Sequence, residues 1–380
     1  MNSDNLSALA VGIAVAALIA GFGVYFNSPS LNKIAAGSPE QVTPAAVGSK
    51  IDKSQFHRAP ELAGISNYIN SKEFKISDLK GKVVIVDFWT YSCINCIRTI
   101  PYLNAWYEKY ADQGLVIVGV HTPEFDFEKN PSNIQAAVQK FGIKYPVVQD
   151  NDRATWDAYQ NRYWPRKYII DDEGYVRFDH IGEGGYAETE RTIQSLLQER
   201  AANIGNTIKI DSSTVNPGSP SVDFGQVNTP ELYFGYGYAR TPLGNAEGFK
   251  PGQTVMYSIS DGQEIRPNTI YLSGKWLNNQ DNMQLQGGTG RVILDYSAKS
   301  VNIVAGGKGT LYLSEDEQAL SARGADVGKD GSVAIGGQRL YNLVSHNNYG
   351  RHQLVIDATG NDFQVYTFTF GYFGKKNENS

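Results

Sequence analysis

The sequence predicts an α/β domain followed by an all-β sandwich of jelly-roll type, with a single apolar helix in front of both. Three observations carry this. Between Ile65 and Arg200 short apolar runs alternate with helical stretches. From about residue 225 to Gly371 short strands follow one another with turn signals and no helix. Leu6 to Phe26 runs 21 residues without a charge. Alternating strands and helices imply a sheet with helices on its faces, and strand after strand implies sheet packed on sheet.

The apolar run 6–26 has the length a helix needs to cross the ~30 Å hydrocarbon core, and segment 1–26 reads as a membrane anchor. MNSDN lacks the basic flank of a secretory signal, although Gly21-Phe22-Gly23 offers a site for cleavage, so a cleaved signal is the alternative. A buried soluble helix fits poorly with all-round apolarity at the terminus. Lys33, taken literally, would keep the body in the cytoplasm, but large domains translocate regardless of one such charge, and the chemistry below decides for the outer side. Residues 27–54, rich in Ser, Pro, Ala and Gly, form a tether. The α/β domain, 55–203, contains VVIVDFW, a helix over 97–110, LVIVGVH, a helix over 132–141, YPVVQD, KYIID and a closing helix with Ile193, Leu196 and Leu197 on one face. A polar linker with Pro and Gly covers 204–224. The sandwich, 225–373, contains TVMYSI, NTIYLSGKW, RVILDYSA, SVNIVAG, TLYLSE, HQLVIDA and FQVYTFTFG, and 374–380 is a tail.

Of 380 residues, 41% are hydrophobic and 19% charged, which excludes a largely disordered chain. Lys+Arg 34 against Asp+Glu 39 gives a net charge of −5, without the basic excess that nucleic-acid binding needs. Only two cysteines occur, Cys93 and Cys96, so they either pair with each other or do chemistry.

Cys93-Ile94-Asn95-Cys96 follows a buried strand and opens a helix. A helix N-terminus presents unpaired N–H groups and the positive end of the dipole, which favours a thiolate at the first cysteine. Two intervening residues let the second sulfur reach the first. Cys93 then attacks a substrate disulfide and Cys96 resolves the mixed disulfide. The competing reading, half of a zinc site, needs further ligands; no second C-x-x-C exists, and His57, His121, His180, His346 and His352 are not paired at ligand spacing, so no metal is expected. An inert structural disulfide is the remaining alternative.

DFWTYSCINC resembles the active-site strand and turn of thioredoxin-fold proteins, over roughly residues 55–200. The resemblance implies roles for further residues. Asp87 falls where that family carries a buried acid that accepts the proton of the resolving thiol; the bland reading is an acid satisfied by local hydrogen bonds. Pro101 falls where the active-site helix is kinked. Trp164-Pro165 matches the family's cis-proline, beside which substrate peptide pairs; otherwise Pro165 is an ordinary trans proline. Trp89, Trp164, Ile94 and Asn95 then become substrate-binding candidates, and Ile94-Asn95 replaces the common Gly-Pro, which bears on the redox potential. Glu124 is the candidate for an acid that tunes the cysteines, against a solvated loop acid, and His121 has no assigned role. A thiol peroxidase is disfavoured because the proline expected before Thr90 is Asp87.

FWTYSCINCIRTIPYLNAWYEKY, VGVHTPEFDFEKN, YWPRKYIIDDEGYVRFDHIGEGGYAETE, TPELYFGYGYAR and VYTFTFG together resemble the DipZ type of thiol:disulfide proteins over nearly all of 55–373. That resemblance implies an extracytoplasmic, membrane-tethered oxidoreductase whose redox centre is the cysteine pair, with no other cofactor. It also implies protein disulfides as substrates, those of cytochrome c maturation among them, and electrons from a separate DsbD-like or CcdA-like membrane donor. An oxidant or isomerase is the runner-up, and an envelope binding protein carried by its β-domain is the reading from another class. In the β-domain Tyr236, Tyr238 and Trp276 are candidates for a face that stacks on glycan or peptide; the alternative is that these aromatics fill the core. Arg339, Arg351 and His352 either line a polar groove there or are solvated. The body would lie in the periplasm or otherwise outside the cytoplasm, and be secreted if the N-terminal segment is cleaved.

Overall fold

The computed structural model describes residues 52–371 apart from 208, 219 and 220. The expected anchor, nearly all of the tether and the tail lie outside the described residues, and among those described no helix is long and apolar enough to cross a membrane.

The first half is built from β1 (Asn67–Ile69), β2 (Val83–Trp89), α1 (Ile94–Tyr110), β3 (Leu115–His121), α2 (Pro131–Lys140), β4 (Val147–Gln149), α3 (Ala154–Ala158), β5 (Arg166–Ile170), β6 (Val176–Ile181) and α4 (Tyr186–Asn203). The strands form one sheet in the order β1-β4-β3-β2-β5-β6, with β2 parallel to β3 and antiparallel to β5. This is a thioredoxin-like fold, and β2 lies inside the sheet. Every residue of β2 is buried, as an apolar run covered on both faces requires. Alternation divides it between two cores. Val83, Ile85 and Trp89 pack with Leu103 and Trp106 of α1 and Ile193 and Leu197 of α4. Val84, Val86 and Phe88 pack with Trp156, Tyr159 and Tyr168 on the opposite face. Asp87 therefore points to the side of α1. α1 runs through Pro101, and α2 begins on an Asn130 cap, whose Oδ1 accepts from Ser132 N at 2.9 Å, with Pro131 in its first turn.

The second half contains β7 (Leu232–Tyr233), β8 (Thr254–Tyr257), β9 (Ile270–Asn278), β10 (Met283–Gly306), β11 (Gly309–Glu315), β12 (Gln318–Ala319), β13 (Ser332–Ile335), β14 (Arg339–Thr359) and β15 (Gln364–Phe370), all paired antiparallel. It is an all-β domain. RVILDYSA and SVNIVAG, read from sequence as two strands, are one strand, β10; SAKS holds no Gly, Pro or Asn to turn the chain, and β10 runs on through a register shift between Ala298 and Ser300 where β14 bulges opposite it. The sheet doubles back on itself, since Val365 of β15 pairs with both Met283 and Ala305 at the two ends of β10. The core inside is apolar and includes Trp276, Leu285, Leu294, Tyr296, Leu343 and Phe368.

The two halves share a core. Tyr233, Val304, Leu340 and Tyr366 of the β-domain and Ile210 of the connecting segment pack in the same cluster as Trp89, Phe125 and Phe127. The connecting segment is also hydrogen-bonded in place: buried Glu190 of α4 accepts from Tyr110 Oη at 2.7 Å, Trp106 Nε1 at 3.2 Å and Val215 N at 2.7 Å.

Candidate active site

Cys93 is the N-cap of α1, and its sulfur accepts from Cys96 N at 3.3 Å. The reason is local: a residue at this position has extended backbone and can turn its side chain back onto the unpaired N–H groups of the first turn. Cys93 is half-buried and Cys96 buried, both are free thiols, and their sulfurs lie 2.7 Å apart. The exposed sulfur is thus the one a substrate can reach. Burial pushes the Cys96 thiol well up, and Cys93 and the charge of Asp87 push it in the same direction.

Asp87 is 1% exposed, and its Oδ1 has no hydrogen-bond partner among the described residues. Burial pushes its carboxyl up to about 7, against the pull of Lys167. Lys167 lies directly opposite Asp87 in the β2–β5 ladder and is itself completely buried, its Nζ donating to Gly182 O at 3.2 Å. Burial lowers its pKa, while Asp87, Cys96 and Glu183 oppose the shift. Lys167 was not among the expected site residues. Its signal was available: in KYIID it alternates onto the same face as Ile169, and a lysine on a core-facing strand position needs a buried anion. The Trp164–Pro165 bond is cis, and Pro165 is buried one residue before the register pair Phe88–Arg166, next to the end of β2.

The segment after β3 wraps the turn before Cys93. Completely buried Glu128 accepts from Ser92 Oγ at 2.5 Å with one oxygen and from the N–H groups of Glu124 and Phe125, at 2.6 and 3.0 Å, with the other. Burial pushes Glu128 up while these bonds hold it down. His121 Nε2 lies 3.3 Å from Thr90 Oγ1, its ring is stacked on Tyr91, and burial lowers its pKa to about 3, so it is a neutral imidazole.

Glu124 meets the β-domain. Tyr233 Oη donates to Glu124 Oε1 at 2.7 Å and lies 3.2 Å from Glu231 Oε2, and Tyr238 Oη donates to the Glu124 carbonyl at 2.8 Å. Burial, Glu231 and Glu128 push the Glu124 carboxyl up to about 8, with Tyr233 and Arg153 opposing. At neutral pH it is mostly protonated.

Several expected positions need correction. Trp89 is 1% exposed and Ile94 also 1%; both fill the core under α1, so neither presents a side chain to substrate. Trp276 is completely buried, its Nε1 donating to Ser273 O at 3.0 Å, and it belongs to the β-domain core. Asn95 is half-buried, its Oδ1 accepting from Arg98 Nη2 at 2.6 Å, and Arg98 Nε donates to Glu183 at 2.6 Å. Trp164 is half-buried against Trp156, with Nε1 donating to Thr122 O at 3.0 Å. Of the second-domain candidates Tyr236 alone is exposed, and Tyr238 lines a cavity of 630 Å³ with Glu124, Phe125, Arg153, Gln280 and Asp281. A smaller cavity of 220 Å³ lies beside the cysteine motif, walled by Tyr91, Ile97, Ala137, Gln338 and Leu340. Arg339 is paired with Asp326 and Arg351 with Asp295.

The profile of the AhpC/TSA family matches residues 57–179, and that of the thioredoxin-like C-terminal domain matches residues 229–371. Thiol-disulfide oxidoreductase YkuV of Bacillus subtilis is 31% identical over 140 residues, 37% of this chain and 94% of its own length. Protein DipZ of Mycobacterium tuberculosis is 37% identical over 319 residues, 82% of this chain and 43% of its own length. The chain belongs to the DipZ-type thiol:disulfide interchange proteins. It spans less than half the length of the DipZ proteins it matches. ResA of Bacillus subtilis, another thiol-disulfide oxidoreductase, is 35% identical over 107 residues, 28% of this chain and 57% of its own length. The DipZ-type match runs through both halves, whereas the YkuV match spans 140 residues, fewer than the two halves together.

Proposed function

We propose that this DipZ-type protein reduces disulfides of proteins outside the cytoplasm through the Cys93–Cys96 dithiol. The observation that supports it most directly is the pairing of a half-exposed helix-capping thiol with a buried thiol 2.7 Å away, on the same side of β2 as a buried acid. The Cys93 thiolate attacks one sulfur of the substrate disulfide, forming a mixed disulfide and releasing the other sulfur as thiolate. Cys96, whose thiol is pushed up, must lose a proton before it attacks Cys93 Sγ; the Asp87 carboxylate, poised at about 7, is the acceptor, and Lys167 keeps part of it ionised. The substrate leaves as a dithiol and the chain as a disulfide, two electrons having moved. A membrane donor of the DsbD or CcdA type, reached from a membrane-tethered position, restores the dithiol. Cysteine pairs used in cytochrome c maturation are the substrate class we favour.

Substrate peptide in this reading lies beside Trp164-Pro165 and Asn95 and extends into the apolar cavity at Tyr91 and Ile97, whose far wall, Gln338–Leu340, comes from the β-domain. Glu124, roofed by Tyr233 and Tyr238, tunes the site, and the larger cavity at Tyr238 takes a peptide or glycan portion of the partner. Replacing Cys96 by Ser is expected to trap mixed disulfides through Cys93, and replacing Cys93 by Ser to abolish insulin disulfide reduction. If Cys93→Ser retained exchange, the reading would fail.

A further inference from the structure

β14 contains a feature that the redox site does not use. Between the register pairs Ala298–Gly350 and Ser300–Ser345, one residue of β10 faces four of β14, residues 346–349. Along a regular strand His346 and His352 would stand about 20 Å apart, six residues at ~3.3 Å each. The bulge instead folds the chain so that their rings stack with centroids 4.2 Å apart. The end of β11 lies beneath them. Glu315 Oε2 is 2.9 Å from His346 Nε2, and Asp316 Oδ2 is 2.7 Å from His352 Nδ1.

Donor atoms of Glu315, His346 and His352 all lie within 4.8 Å of one another. His346 Nε2 is buried and, despite its closeness to Glu315, has no partner with hydrogen-bond geometry among the described residues. The surrounding groups are those that orient ligands. Tyr296 Oη donates to the other Glu315 oxygen at 2.6 Å, leaving Oε2 toward the histidines. Asp316 engages His352 through Nδ1, which fixes the tautomer with a free lone pair on Nε2, and a Cβ at Gly350 would come within 2.7 Å of that Nε2. Asp316 is held in turn by Gln353 N at 2.9 Å.

We infer that Glu315, His346 and His352 form a binding site for a divalent transition-metal ion of the Zn²⁺ class. Two imidazoles and one carboxylate are a Zn²⁺ donor set that leaves a fourth position open, and two nitrogen donors disfavour Ca²⁺ and Mg²⁺. An ion about 2.0–2.2 Å from each donor spaces tetrahedral ligands by roughly 3.3 Å, and because it lies in the plane of each ligating imidazole, the two rings, now stacked 8° from parallel, must tilt apart about their side-chain torsions to share it. Spacing alone does not reveal the site, because H-x₅-H is not a ligand pattern in an extended strand; the bulge creates it.

The test is Zn²⁺ uptake by the full chain with Cys93 and Cys96 alkylated, so that thiols contribute nothing, measured by equilibrium dialysis against a weak competing chelator. One ion per chain is expected. His346→Gln and His352→Gln should each weaken binding at least 30-fold, with circular dichroism and thermal melting checking that each variant is folded. Tyr296→Phe, which keeps all three ligands, should weaken it several-fold. Co²⁺ in place of Zn²⁺ should give visible bands without thiolate charge transfer. No uptake by the wild type above the chelator background, or uptake unchanged in a folded His346→Gln/His352→Gln double variant, would overturn the assignment.

Discussion

At the residue scale the molecule keeps two opposite charges in a place that penalises both. Asp87 and Lys167 face each other across two strands, each buried, and each displaced toward its neutral form by desolvation. The sign for stability follows. A carboxyl whose folded pKa, about 7, exceeds its ordinary value of 3.8 binds more protons in the folded state, so it costs nothing below about pH 4 and its penalty grows until pH rises past 7. Asp87→Asn, which removes this titration, is therefore expected to flatten the loss of stability between pH 4 and pH 8. Urea unfolding at the two pH values measures this. The same variant should slow resolution of the mixed disulfide near neutral pH. Lys167→Met should push the Asp87 titration higher, seen as an upward shift in the pH profile of disulfide reduction. The sequence made Asp87 legible because an acid interrupts an apolar run; Lys167 went unread because its strand ends in acids, and only the register shows which anion it faces.

At the element scale the cysteine motif depends on a segment that contributes no reactive atom. Glu128 ties the turn at Ser92 to the chain at Glu124 and Phe125 through three hydrogen bonds. Glu128→Ala would leave those donors buried and unpaired, and with each such group worth ~1–3 kcal/mol a loss of several kcal/mol is expected in denaturant unfolding. Glu128→Gln, which keeps one acceptor, should lose less. From sequence Glu128 has no assigned role, because the inward turn of one glutamate is visible only once Phe125 and Phe127 are seen anchored in the core. The strands of the second half were legible in type but not in length. Two long strands take the place of shorter ones, since a bulge interrupts the pairing without ending the strand, and Asn347, Asn348 and Gly350 mark a bulge in β14 as readily as a turn.

At the scale of the whole molecule the aromatic segment around Tyr233 decides how the halves relate. From sequence it was either a ligand face or core; it is largely the seam, with Tyr233 and Tyr366 packed on Phe125. The seam also holds two acids, both pushed up by burial. Glu124 and Glu231 approach the same Tyr233 hydroxyl, and the Glu124 carboxyl, raised to about 8 from 4.5, makes the seam weaken as pH rises from about 4.5 through 8. Because one core runs through both halves, thermal unfolding of the chain should be a single transition at pH 6. Tyr233→Phe, which removes the hydroxyl between the carboxylates, should lower the midpoint and change its pH dependence. Two separate transitions in the wild type would contradict the shared core.

The most direct test of the central claim is the reduction potential of the Cys93–Cys96 pair, measured on the full chain by equilibration in graded thiol buffers and alkylation of free thiols. A two-electron couple near or below about −230 mV, in the range of glutaredoxins and thioredoxin, is the predicted result for a reductant. A value near about −120 mV, that of a strong oxidant, would reverse the direction proposed, and a pair that never forms a disulfide would contradict the account altogether.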